Sequence, residues 1–139
     1  ENSIRECVST DTDLRAEGYV GGVCGRSNRG DISKCYSSTT IISSMSVGGI
    51  VGSLEAASLT KSVSNDCITV EGDKFNVGCL VGAIEREFEI KDCYSISQDN
   101  FQLIGKLSPD IELSNKSNIF NIKKTPDLSK KEAVGLTLF

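Results

Sequence analysis

Val20-Gly21-Gly22-Val23-Cys24-Gly25, Val47-Gly48-Gly49-Ile50-Val51-Gly52 and Val77-Gly78-Cys79-Leu80-Val81-Gly82 are three versions of one phrase. The first two begin 27 residues apart (20 to 47) and the last two 30 (47 to 77). Ile104-Gly105-Lys106-Leu107 reads as a worn fourth version, 27 residues beyond Val77 (77 to 104). Self-similarity at a fixed period of roughly 20–50 residues is the mark of repeat architectures, and it outranks local propensity in deciding a fold.

A second phrase keeps step with the first. Ile32-Ser33-Lys34-Cys35-Tyr36-Ser37, Leu59-Thr60-Lys61-Ser62-Val63-Ser64 and Ile90-Lys91-Asp92-Cys93-Tyr94-Ser95 follow the three glycine clusters. Ile4-Arg5-Glu6-Cys7-Val8-Ser9 matches them upstream. Thr40-Ile41-Ile42 and Cys67-Ile68-Thr69-Val70 supply a third β-type run, with turn clusters such as Ser27-Asn28-Arg29-Gly30-Asp31 between runs. Helical periodicity is missing across these units.

Three short strands cannot bury a face alone, but parallel stacking of units at ~4.8 Å can. Equivalent positions then form columns, one residue per coil. One column reads Glu6, Lys34, Lys61, Asp92 and predicts a solvated outer row with Glu6–Lys34 and Lys61–Asp92 attractions. Strict alternation would place Ile32, Lys34 and Tyr36 on one face, so a corner or bulge is expected between Ile32 and Cys35. The fold expected is an all-β parallel β-solenoid (β-helix) of about four coils. Its units run over about 4–19 (partial), 20–46, 47–76, 77–103 and 104–119 (degenerate), making 1–119 the repeat region.

The tail at 120–139 departs from this pattern and reads as a cap or linker. Ser129-x-x-Glu132 is a capping-box signature and Gly135 could end the helix it starts, which predicts a short C-terminal helical cap over an open strand edge.

Gly22-Val23-Cys24-Gly25, Gly49-Ile50-Val51-Gly52 and Cys79-Leu80-Val81-Gly82 resemble the GLUG motif, named for Gly-Leu-hydrophobic-Gly. The Ile-x-x-Cys-Tyr-Ser phrase is similar to the segment that follows that motif, and the resemblance spans about residues 4–107. Val23 and Ile50 replace its Leu, and Cys79 replaces a Gly. The resemblance implies a right-handed solenoid in bacterial surface or secreted proteins, either adhesin-like or associated with immunoglobulin-A metalloproteases. It implies no catalytic residues.

Composition narrows the chemistry. With no histidine among 139 residues, His-based triads and H-E-x-x-H zinc sites are excluded. A formal charge of −4, with basic doublets only at Lys123-Lys124 and Lys130-Lys131, argues against nucleic acid. No run approaches the ~20 apolar residues of a membrane span. Beginning at Glu1 rather than Met, the sequence reads as a fragment or processed product of a larger polypeptide.

Candidate sites are few. Cys7, Cys35 and Cys93 share a column with Ser62, which reads as a ladder of small buried thiols, or as a Cys7–Cys35 disulfide between adjacent coils. Cys24 and Cys79 fall at different positions two coils apart. Recurring glycines with β-type flanks are architecture rather than a phosphate loop. Asp31, Glu89, Asp92 and Asp99 are spread over turns and mark no carboxylate pair for glycan cleavage. The sequence therefore assigns no catalytic, cofactor or metal residues and no cofactor.

The function expected is non-catalytic: a bacterial cell-surface or secreted repeat module serving as adhesin stalk or protein/glycan-binding surface. A host protein or a glycan is the expected partner, met at the Ser37, Ser64 and Ser95 columns and the turns. The alternatives are a substrate-positioning region of a secreted metalloprotease and a glycan-active β-helix enzyme.

Overall fold

The computed structural model describes residues 2–71, 76–86, 88–96, 102–107 and 116–121. Among them every element is a strand and every strand pairing is parallel. A first, partial coil holds β1 (Asn2–Arg5) and β2 (Val8–Ala16). The next holds β3 (Val20–Gly21), β4 (Cys24–Asn28), β5 (Gly30–Ser33) and β6 (Tyr36–Ser43). It is followed by β7 (Val47–Gly48), β8 (Val51–Glu55), β9 (Ala57–Thr60), β10 (Val63–Ser64) and β11 (Cys67–Val70). β12 (Val77–Gly78), β13 (Val81–Ile84) and β14 (Phe88–Ser95) come next, then β15 (Ile104–Leu107) and β16 (Lys116–Asn121).

Successive coils stack into a parallel β-solenoid of about three turns, with sheets β3-β7-β12 and β4-β8-β13-β15 and a larger nine-stranded one. Val20, Val47 and Val77 pair in register, as do Gly21, Gly48 and Gly78. Ile4, Ile32, Leu59 and Ile90 form a second column, and Thr40 with Cys67 and Ile41 with Ile68 confirm the third β-run.

The last copy has a different register from the one expected. Ile104 pairs with Val81 and not with Val77. Leu80 N donates to Leu103 O at 3.0 Å, as Ile50 N donates to Leu80 O. Gln102-Leu103-Ile104-Gly105 is thus the worn version of Cys79-Leu80-Val81-Gly82, reached in 23 residues (81 to 104). Each unit carries two hydrophobic-Gly pairs, and Ile104-Gly105 fits either one locally. β16 pairs with β14 and carries the stack through Asn121. The helical cap expected over 120–139 falls, beyond Asn121, outside the described residues, and so does Asp99.

The missing corner is visible in the backbone. Glu6, Lys34, Lys61 and Asp92 all have positive φ, between 48° and 54°. A left-handed residue reverses the phase of side-chain alternation, so Ile32 and Cys35 both point inward although they are three apart. Arg29 and Ala56 turn a second corner in the same way. A non-glycine residue in this region costs roughly 1–2 kcal/mol, and a recurring hydrogen bond offsets part of that cost. Cys7, Cys35 and Cys93 Sγ donate to the carbonyl two residues back at 3.2–3.3 Å, and Ser62 Oγ does so at 2.9 Å. The column therefore needs a small donor, which both Cys and Ser provide. Lys61→Gly is expected to be neutral or stabilising by up to about 1 kcal/mol, and Lys61→Val to cost about 1–2 kcal/mol in chemical denaturation. Equal losses in both would argue against the corner.

The interior is thin and filled by aliphatic columns. Ile32, Ile50, Leu54, Leu59, Leu80, Ile84 and Ile90 are all at most 1% exposed. Glu6 and Lys34 form the expected outer pair at 3.8 Å, but both side chains are well exposed, so the contribution is small. β2 carries a bulge between Thr10 and Asp13, with Asp11 at φ 55°.

Candidate functional site

Two polar arrangements arise from the same strands, one facing in and one facing out. Along β6, alternation sends Ser37, Thr39 and Ile41 inward and Ser38, Thr40 and Ile42 outward. Ser37, Ser64 and Ser95 stack in register, but all three are fully buried. The expectation that this serine column presents a binding face is therefore wrong.

Glycine makes room for these serines across the thin interior. A Cβ on Gly22 would lie 1.8 Å from Ser37 Oγ, and one on Gly49 would lie 1.9 Å from Ser64 Oγ. This close approach explains why the two sequence phrases repeat together. The glycine of one phrase accommodates the serine of the other.

Asp66, 3% exposed, completes the inner cluster. Its Oδ1 accepts from Ser37 Oγ, Thr39 N and Thr39 Oγ1, each at 2.7 Å, and its Oδ2 accepts from Ser64 Oγ at 2.7 Å. Burial pushes the carboxyl above the ordinary carboxylate range, against the hydrogen bonds from Ser64, Thr39 and Ser37 that favour its ionised form. A raised carboxyl resembles a general acid, but this one is enclosed by its own donors and ties two coils together from inside.

The outward face is different. Asp13, Thr40 and Cys67 form one column, and Asn65 N donates to Ser37 O beside it. These residues, with Asp11, Thr12, Ser38 and Thr39, line a shallow groove of about 360 Å3. Polar side chains of successive coils line it at the coil spacing of ~4.8 Å. The β2 bulge displaces Asp11 and Thr12 from the regular ladder and forms one wall.

A second outward feature is ionic. Glu55 is 7% exposed and accepts from Arg26 Nη2 at 2.7 Å, Asn28 Nδ2 at 3.3 Å and Arg86 Nε at 3.1 Å. The Arg26 guanidinium lies 5.4 Å from the Tyr19 ring centroid. These charges pair from coil to coil, with Glu55 between the two guanidinium groups.

The carboxylates singled out in sequence are partly brought together. Asp31, Ser58 and Glu89 occupy one column, two coil steps or roughly 10 Å from end to end. Asp31 accepts from Ser58 Oγ at 2.6 Å, and both carboxylates are exposed. Asp92 stands apart at its corner. Among the described residues no group of three or more Cys, Asp or Glu is arranged to hold a metal ion. None of the six cysteines is in a disulfide, and Cys24 and Cys79 lie in different columns.

Sequence reasoning missed Asp66 and Glu55, because most of their partners lie in neighbouring coils. The available signal was a polar residue, 27 residues from Thr39, beside a serine column that had to face either in or out. Comparison with protein-family models, with curated proteins and with solved structures found no match for the chain.

Proposed function

We propose that this chain is a non-catalytic repeat module of a bacterial surface or secreted protein, a stalk that carries a binding face for a polar polymer or host protein. The observation that carries this reading is the outward groove over β2, β6 and β11. It offers Thr12, Asp13, Thr40 and Asn65 on a rigid ladder, where many weak contacts can add along one axis. The resemblance to GLUG repeats supports the surface setting and the right-handed winding, the worn copy at Ile104-Gly105 supports a fourth coil, and Ser129-x-x-Glu132 supports a short helical cap within 120–139.

A glycan and host-protein array probed with the chain tests the reading. Saturable binding is expected, weakened roughly tenfold or more in the Asp13→Ala/Asn65→Ala variant while its unfolding midpoint stays close to wild type. Uniform silence across the array would reduce the module to a spacer or to a substrate-positioning region of a protease. The Asp31–Ser58–Glu89 column favours a second reading, glycan cleavage by two carboxylates. Chain shortening of a polysaccharide that is lost in Asp31→Asn would establish it and overturn the non-catalytic proposal.

A further inference from the structure

We propose that Cys7 and Cys35 are a thiol–disulfide pair, in which Cys7 is modified by a small disulfide and Cys35 resolves the adduct, stapling the first coil to the second.

The column geometry brings the two together. Val8 pairs with Tyr36 in register, and Tyr36 N donates to Cys7 O at 2.9 Å, so Cys7 stacks directly on Cys35. Neighbouring parallel strands place such Cα atoms ~4.8 Å apart, within the ~4.4–6.8 Å span of disulfides. Both residues follow a left-handed corner, at Glu6 and Lys34, and both thiols fold back on the carbonyl two residues upstream. The side chains thus leave the backbone in the same sense and meet.

Their environments divide the work. Cys7 is exposed, whereas Cys35 is fully buried. The Cys7 thiolate attacks a small disulfide, forming a mixed disulfide and releasing one small thiolate. The Cys35 thiolate then attacks the Cys7 sulfur, breaking the mixed disulfide and releasing the second thiolate. Two protein thiols are oxidised, one small disulfide is reduced, and the two thiol protons leave with the products. Burial raises the Cys35 thiol, so the resolving step quickens as pH rises.

The rest of the chain supplies controls. Ser62 separates Cys35 from Cys93, and burial pushes the Cys93 thiol up to about 12. Cys67 is exposed, but its column neighbours are Thr40 and Asp13 rather than thiols. Ser62 also shows that serine fits the Cys35 position with the same backbone hydrogen bond.

The test treats the folded chain with oxidised glutathione and maps the peptides by mass spectrometry. A Cys7–Cys35 linked pair about 2 Da lighter than the two thiols is expected, with a persistent glutathione adduct on Cys67 and unmodified Cys93. In Cys35→Ser the adduct should persist on Cys7 as well. A persistent Cys7 adduct in the wild type, or Cys7 linked to Cys67 instead, would overturn the proposal.

Discussion

Gly49→Ala is expected to abolish folding or to lower stability by at least about 4 kcal/mol, a large share of the 5–15 kcal/mol that holds a domain. The added Cβ would lie 1.9 Å from Ser64 Oγ and 2.1 Å from Cys79 O. Ordinary overpacking costs about 1–3 kcal/mol because side chains give way. Here the second obstacle is backbone of the next coil, which can move only by opening the stack. Adding Ser64→Ala removes the hydroxyl and leaves that carbonyl in place, so the double variant should not recover. Urea unfolding followed by far-UV circular dichroism reads the result, and a loss under about 1 kcal/mol would mean the coils are not this close.

Asp66→Ala carries the second large effect. It strands the buried donors of Ser37, Thr39 and Ser64 and leaves a cavity, for an expected loss of about 3–5 kcal/mol. Asp66→Asn keeps an acceptor for most of these donors and should cost far less. The two variants differ in pH behaviour as well. Because burial raises the Asp66 carboxyl, the folded state binds its proton more readily than the unfolded chain does. The group therefore favours folding most below the ordinary carboxylate range, and that contribution is lost as pH rises through the raised folded value. The stability of wild type relative to Asp66→Asn should accordingly fall from acid toward neutral pH. A relative stability that grows with pH would show that the hydrogen bonds outweigh burial.

How far the fold could be read from sequence depended on the column. Val20, Val47 and Val77 share a residue type, and Ile4, Ile32, Leu59 and Ile90 share a character, because stacked positions see the same neighbours. That rule made parallel stacking legible without knowledge of any contact. It gave less at Lys34 and Lys61, where a left-handed corner is occupied by lysine rather than by the glycine or asparagine that would announce it. The break in alternation between Ile32 and Cys35 was the trace it left. Register failed at Ile104 for a related reason, since two hydrophobic-Gly pairs per unit are locally equivalent and only the paired coil distinguishes them.

The polar residues were harder to assign. A serine at every turn of a solenoid can form an outer ladder or an inner one, and composition does not choose between them. The choice is made by Gly22 and Gly49, which leave space opposite, and by Asp66, which gives the hydroxyls an acceptor. Inward serines leave the outward positions Ser38, Thr40 and Asn65, with the bulge at Asp11 and Thr12, as the polar face toward solvent. The candidate binding groove was thus displaced by one residue along the strand from where the sequence placed it.

In-register stacking is the claim on which the groove, the Asp66 cluster and the thiol pair all depend. Through-space proton contacts in solution NMR test it most directly. Cross-strand contacts are expected between positions one coil apart, linking Val20 to Val47 to Val77 and Ile32 to Leu59 to Ile90. Helix-type contacts between residues three apart through 20–95, or the absence of those coil-to-coil cross-peaks, would contradict it.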